Sequence, residues 1–560
     1  MRLTKWLFGS LLVSLSTMFG VGEVDAQASR HPTPVPQVSD PCPRPVAGSV
    51  IEKEPALFSR NGVLRVRFSY QSRLDDAGRK LYCFMTPDHM QNPTLHIRPG
   101  DRLQITITNN LPPGTGSMAV SAPNCGASFM DSSSVNIHYH GANASPACHQ
   151  DEVIKTLINA GETFQYDVKF PRNEPPGLYW YHPHIHGMSE LALQGGAAGA
   201  IVVDGIENVQ PAVAGLRQRV LVVRDQNVPG APSPGGSIPS WDVTLNYVPI
   251  TSPTSADSNQ FVPAVLVMQR GEQQFWRVAN AAADTILDLQ YLWDGQAQEL
   301  QLVARDGVPL NSQDGKRPGD PIALDHIVLP PASRAEFIVD APGPDVKLAQ
   351  LVTQGINTGP FGDNDPARPL ATIRLPGDAI ASQQASVMDR LPAFTELSTS
   401  HQRFAGLAQA KVAAYRTVYF DEIQPTSFFM AVEGMPKHVF DPNLPPDIVA
   451  TQGTVEEWVI QNRTLENHEF HVHQIHFLVE SQDNFEINGS PQVPGVTGQY
   501  LDMVQVPFWD GDPSHPYPSV KVRIDFRGPD VGDFVFHCHI LNHEDLGMMN
   551  IIRVLPRGAH

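Results

Sequence analysis

One pattern, written three times, limits what this chain folds into. Arg98-Pro-Gly100-Asp-Arg-Leu-Gln-Ile-Thr-Ile-Thr-Asn109, Gln269-Arg-Gly271-Glu-Gln-Gln-Phe-Trp-Arg-Val-Ala-Asn280 and Thr451-Gln-Gly453-Thr-Val-Glu-Glu-Trp-Val-Ile-Gln-Asn462 share one design. Each sets a turn glycine before a strand that largely alternates polar and apolar residues, and each ends on asparagine. The copies lie 171 and 182 residues apart, a domain-sized rather than a solenoid-sized spacing. Three related β domains follow, in keeping with 560 residues, too many for one core. Short strand-like runs broken by Gly, Asn and Asp, with 51 prolines, argue against long helices and for β-sandwiches.

A second repeat joins only the outer copies. Gly177-Leu-Tyr-Trp-Tyr-His182-Pro-His184 matches Gly532-Asp-Phe-Val-Phe-His537-Cys538-His539, with Pro183 standing where Cys538 stands. The middle copy has no such histidine pair and is read as scaffold. The domains expected are 45–205, 206–376 and 413–560, with a Gln/Ser/Ala-rich linker over 377–412.

Residues 1–26 read as a secretory signal: Arg2 and Lys5, an apolar stretch from Trp6 to about Phe19, and a small-residue site at Val24-Asp25-Ala26. The apolar run falls short of the roughly 20 residues that span a bilayer. The mature chain is therefore expected to be extracytoplasmic (periplasmic or secreted), monomeric and without a membrane partner. With 58 acidic against 39 basic side chains the net charge is -19, which repels phosphate backbones and argues against nucleic acid. Setting Cys538 aside, Cys42, Cys83, Cys125 and Cys148 allow two disulfides in three connectivities. Cys42–Cys83 with Cys125–Cys148 is favoured, because the second closes a loop around His138-Tyr-His140.

The chemistry concentrates between His537 and Met548. On a strand, side chains alternate, so His537 and His539 face one way and Cys538 the other, and one strand serves two metal sites. Cys538, His543 and a weak thioether at Met548 supply much of the set that suits an electron-transfer copper. His468, just upstream of His471 and His473, completes it. Four His-x-His pairs occur: His138/His140, His182/His184, His471/His473 and His537/His539. Each puts two imidazoles on one strand face, as a polynuclear site requires, and all eight converge if the first and third domains pack together. One such pair alone is more often chance; four at matching points of repeated domains are not.

These residues resemble the multicopper oxidases, a three-domain family that includes laccases, bilirubin oxidases, ascorbate oxidases and bacterial cuprous oxidases. The resemblance covers nearly the whole mature chain. It rests on His138-Tyr-His140-Gly141, Trp180-Tyr-His182-Pro-His184-Ile-His186-Gly187, His468-Glu-Phe-His471-Val-His473, and His537-Cys-His539 with His543 and Met548. It implies an all-β chain of three cupredoxin-like Greek-key β-sandwich domains holding four copper ions. The type 1 ion would take His468, Cys538, His543 and Met548, and the type 2 ion His138 and His471. The type 3 pair would take His140, His182, His184, His473, His537 and His539. The implied activity is laccase-like: one-electron oxidation of phenols or similar small reductants, coupled to four-electron reduction of dioxygen to water. Two departures stand out, Glu469 where many relatives have proline and Gln474 where they often have glycine.

Oxygen reduction consumes protons, so nearby carboxylates are candidate relays. Glu544, directly after His543, and Asp151, after His140, resemble the family's acids there. His468 or His543 offers the edge at which a reductant gives up electrons, and 354–365 and 507–517 are stretches that line the groove above it. His186 shares the strand face of His184 but is read as packing, and His476, His149 and His89 as surface or structural residues. Met85, Met90, Met118, Met130 and Met188 are scattered, with no dense methionine segment for cuprous transport. An axial thioether implies a low-to-middle potential. The rival readings are a metallo-oxidase of Cu(I), Fe(II) or Mn(II) in metal homeostasis, and a non-catalytic cell-envelope copper protein, whose expected loss of ligands is not seen.

Overall fold

In the computed structural model the described residues are 40–558 except 124, 228–237, 251–259, 314–318, 377–389 and 394–402. The expected signal over 1–26 lies outside them, as does most of the expected linker over 377–412. The strands gather into three pairs of sheets. Five- and four-stranded sheets lie between Ala56 and Val203, eight- and six-stranded sheets between Arg217 and Arg374, and six- and five-stranded sheets between Ala414 and Leu555. Each pair closes over its own apolar core, one around Ile105, one around Trp276 and one around Trp458. The architecture is the all-β set of cupredoxin-like sandwiches that the repeat requires.

The three repeat strands, Arg102–Asn109, Gln273–Asn280 and Val455–Asn462, occupy one topological position. Each pairs in parallel with an earlier strand (Val63–Leu74, Arg217–Asn227, Ala414–Ile423) and antiparallel with a later one (Thr163–Lys169, Arg334–Asp340, Ser519–Asp525). In the first copy alternation is clean, with Leu103, Ile105 and Ile107 fully buried between half-exposed polar residues. The middle copy is buried on both faces, because Phe275 packs on Ile206, Val209 and Val213 while Arg277 is ion-paired to Glu336. The closing asparagine is satisfied identically each time. Nδ2 of Asn109 donates to the carbonyls of Ser133 and Ile158, that of Asn280 to Thr285 and Leu329, and that of Asn462 to Glu466 and Val506. An unpaired buried amide costs about 1–3 kcal/mol, so the residue is required by the turn it ties and not by any ligand.

The histidine strands are placed by two ladders. His138–His140 runs antiparallel to Gly177–His182 with His138 opposite His182, and His468–Val472 runs antiparallel to Gly532–Cys538 with His471 opposite His537. Alternation turns Cys538 to the other side, into the core with Phe470 and Met548. Only the first pair lies wholly within a strand. His184, His473 and His539 stand just past the strand ends, a departure from the expectation. Pro183 has no N–H to continue the ladder, and Gln474 takes a left-handed turn at φ 60. The N–H of His539 still bonds to the Glu469 carbonyl at 2.9 Å.

Disulfides join Cys42 to Cys83 and Cys125 to Cys148, with Cα separations of 5.8 and 5.6 Å, while Cys538 is free and buried. Among the described residues no helix is long and apolar enough to cross a membrane.

Candidate metal centre

Cys538 Sγ lies 3.5 Å from His468 Nδ1 and 3.7 Å from His543 Nδ1, and the two nitrogens are 3.1 Å apart. His468 is fixed by stacking on Phe420 and by Thr464 Oγ1, 2.8 Å from its Nε2; His543 stacks on Phe428 at 4.6 Å. Met548 is fully buried, its carbonyl accepts the Cys538 N–H, and its own N–H donates to the His543 carbonyl. The chain folds back here, joining the Met548 backbone to those of Cys538 and His543, with Cys538 and Met548 in one core. Burial pushes the Cys538 thiol well up, so a bound cation is what would make it a thiolate. The Glu469 N–H donates to the sulfur at 3.5 Å, a bond that proline at this position cannot make.

The eight paired histidines all meet. Nε2 of His537 lies 3.3 Å from Nε2 of His184 and 3.2 Å from Nε2 of His473. His140, His182 and His539 form a second group, with ring centres 5.0 to 5.8 Å apart. His138 stacks on His473 at 3.8 Å and His471 on His140 at 4.0 Å, closing the cluster. Outer nitrogens are held: His138 Nδ1 by Asp151 Oδ1 at 3.0 Å, and Nδ1 of His182, His471 and His537 by the carbonyls of Pro183, Asp502 and Cys538. An imidazole that donates outward from Nδ1 turns a lone pair inward at Nε2. Nε2 of His138, His182 and His471 and both ring nitrogens of His140 and His539 are buried without a hydrogen-bond partner. Such a concentration of unpaired buried polar atoms calls for a cation. Burial foremost, with neighbouring imidazoles adding, holds His138, His140, His473 and His539 well below the ordinary histidine range. They are neutral nitrogen donors, and with the cysteine–histidine nest they fit copper.

Both expected carboxylates reach the cluster. Asp151 is buried, and its Oδ1 accepts the Tyr139 N–H as well as His138, while Gln474 Nε2 donates to its Oδ2 at 2.7 Å. That contact is what the glutamine at 474 does. Glu544 is fully buried, its Oε2 3.3 Å from His537 Nδ1 and its Oε1 3.8 Å from His184 Nδ1. Burial raises both carboxyls well above their usual range.

Two functional residues had no sequence signal. Asp502 lies 3.4 Å from His140 Nε2 and 3.5 Å from His476 Nε2, and its carboxylate receives Arg334, a fully buried residue of the middle sandwich, at 2.7 and 2.5 Å. Gly141 gives this pair its space. A Cβ there would collide with the Arg334 guanidinium and lie 2.6 Å from Asp502 Oδ2, on a backbone already left-handed at φ +83. His476, expected at the surface or as structure, is buried in that network; His186, past the strand rather than on it, packs edge-on against Phe440.

His543, not His468, is the accessible edge. It opens into a cavity of ≈ 190 Å³ that also meets Asp284, Asp363, Asp365 and Glu466, with Glu466 Oε1 3.5 Å from His543 Nε2. Among the described residues no lysine or arginine lines it, although Arg368 stands behind Asp365 at 3.9 Å. Thr358 to Asp365 contribute to the lining as expected, whereas 507–517 do not. Burial, then the neighbouring Glu422, pushes Glu466 up to about 10, and burial pushes Asp365 up to about 8. Crowded carboxyls hold protons until a cation replaces them.

Residues 419–558 match a family model described as multicopper oxidase, and residues 127–208 match a second model of that description. The chain is 23% identical over 485 residues to the multicopper oxidase mco of Staphylococcus epidermidis, covering 83% of this chain and 82% of that protein. It is 23% identical over 442 residues to the laccase of Bacillus subtilis, covering 74% and 78%. Its fold is similar to that of the McoA multicopper oxidase from Aquifex aeolicus, with a TM-score of 0.64 at 19% identity over 91% of this chain and 99% of that one.

Proposed function

Because this chain belongs to the multicopper oxidase family, copper-dependent oxidoreductases, we propose that it couples one-electron oxidation of a small reductant beside His543 to four-electron reduction of dioxygen to water at the eight-histidine cluster. One observation carries the reading: Gly532–Cys538 and the residue after it give Cys538 to one donor nest and His537 and His539 to the other. Four copper ions suit these donors. His468, Cys538, His543 and Met548 take the mononuclear ion, His138 and His471 the type 2 ion, and His140, His182, His184, His473, His537 and His539 the type 3 pair. Bound copper supplies one-electron chemistry at the first site and multi-electron reduction of dioxygen at the second. The protein does the rest. Cys538 is joined through the backbone to both neighbouring histidines, a bonded path between sites. Asp151 and the carbonyls of Pro183, Asp502 and Cys538 fix the imidazole tautomers. Glu544, neutral by burial, holds a proton 3.3 Å from His537 Nδ1, and Asp151 holds one beside His138.

The cavity supports a choice of reductant. Four carboxyls around His543 suit a cation, so a metal ion, Fe(II) or Mn(II) before Cu(I), is favoured over the phenols that the family resemblance alone suggests. Phenols remain the second reading, on Trp241, Phe361 and Phe428 in the same walls. The domains are taken as 45–205, 206–376 and 413–560 in a monomer. An extracytoplasmic location is supported by the two disulfides. Oxygen uptake by copper-loaded protein against Cu(I), Fe(II), Mn(II), phenols and bilirubin tests the reading. Turnover with metal ions, selectively weakened by Asp363→Asn, is expected. No uptake with any reductant, in protein carrying about four coppers, would overturn it.

A further inference from the structure

His184 also lines a smaller cavity of different chemistry from the acidic one. Its volume is ≈ 20 Å³, room for about one water-sized sphere. Met118, Met130 and Met549 bring thioethers to its walls and His186 an imidazole, and the remaining lining is apolar apart from His184. Among the described residues its lining includes no carboxylate, lysine or arginine, although Asp441, between the lining residues Phe440 and Pro442, acts electrostatically on His186.

The methionines are scattered in sequence and gathered by the fold. Met118 and Met130 are direct cross-strand partners in a two-stranded sheet, and Met130 and Met188 pack on the cluster of Val120, Leu157 and Ile185. Met549 comes from the strand paired with Gly532–Cys538, where it faces His537. His186 is held edge-on to Phe440 at 5.0 Å, and its Nδ1 is buried without a hydrogen-bond partner. Met118 is 36% exposed, which puts the mouth of the cavity at the surface.

These donors select one kind of guest. Hard divalent ions require several oxygen ligands to replace their hydration shells, and no described residue of this lining carries a side-chain oxygen. An aromatic reductant exceeds the volume. A soft monovalent ion of closed d shell takes sulfur and nitrogen in low coordination and tolerates apolar walls. We infer that Met118, Met130 and His186 form a site for one cuprous ion, distinct from the four copper positions above and opening towards His184 from the surface. The inference does not depend on which reductant is oxidised at His543.

Silver(I), a redox-inert stand-in, would be titrated calorimetrically into copper-loaded wild-type protein and into Met118→Leu/Met130→Leu, in which volume and apolarity are kept. Wild type should take up one equivalent that the double variant binds at least about tenfold more weakly, with copper content and blue absorption unchanged. Anomalous scattering should put the silver beside His186. Met118→Leu alone, at a partly exposed position, should also weaken uptake and guards against a folding defect. Equal silver binding by wild type and both variants, or uptake that zinc(II) matches in affinity, would overturn the assignment.

Discussion

Replacing Arg334 by leucine tests whether the ligand-free middle sandwich helps to build the copper cluster. The guanidinium is fully buried and donates to Asp502 at 2.7 and 2.5 Å, to the Ala332 carbonyl at 3.1 Å and to the Leu178 carbonyl at 3.2 Å. Leucine fills the space and leaves Asp502, 1% exposed, without its counter-charge. Removing one partner of a buried ion pair costs about 3–5 kcal/mol, and the orphaned Leu178 carbonyl adds about 1 kcal/mol. The chemical consequence follows from position. Asp502 touches His140, and its carbonyl holds His471 Nδ1 at 2.8 Å, so the proposed type 2 ligand His471 loses its support. Urea unfolding, copper analysis and electron paramagnetic resonance should show destabilisation of about 4–6 kcal/mol and a changed or depleted type 2 signal beside an intact type 1 signal. Arg334→Leu/Asp502→Leu, with both charges gone, should regain much of the stability but not the type 2 spectrum. A single variant with unchanged stability and a native type 2 signal would refute the argument.

Redox titration should find a higher potential at the proposed type 1 site in Met548→Leu, which loses the thioether, and a lower one in Glu469→Pro, which loses the N–H···S bond. For the latter, a net bond of about 1.5 kcal/mol sets an upper limit of roughly 65 mV on the fall, reached only if the whole bond belonged to the reduced state. Asp365 holds its proton to about pH 8 in the fold, against an ordinary value of 3.8. The folded state therefore binds more protons than the unfolded one between those values, and stability should fall as pH rises through that window. Asp365→Asn should flatten this limb in urea titrations at several pH values. In Glu544→Gln, oxygen reduction should slow and change its pH profile while copper content stays native, and an unchanged profile would remove the relay role.

The repeat was readable because each copy carries its whole instruction locally: glycine for the turn, alternating residues for the strand, asparagine for the tie. The histidines were equally readable, since spacing along a strand determines the face, and Cys538 duly turns away from His537. Three pairs nonetheless finish beyond their strands: Pro183 ends the ladder before His184, the chain turns left-handed at Gln474 just after His473, and the last strand stops at Cys538. Asp502, Arg334 and the carboxyls around His543 could not be found this way. Asp284, Asp365 and Glu466 come from segments far apart in the chain and become a cluster only when the sandwiches dock. The same holds for the methionines: sequence showed no dense segment, and the fold brings three to one cavity.

The two proposed copper centres differ in how they are assembled. His468, Cys538, His543 and Met548 all belong to the last sandwich, where strand ladders and one core hold them, so this nest can outlast any loosening between sandwiches. The eight histidines are split, four from the first sandwich and four from the last, and close only while the two remain docked. Mild denaturant should therefore uncouple the protein before it bleaches it: the blue colour would persist in molecules that have already lost the ability to reduce oxygen.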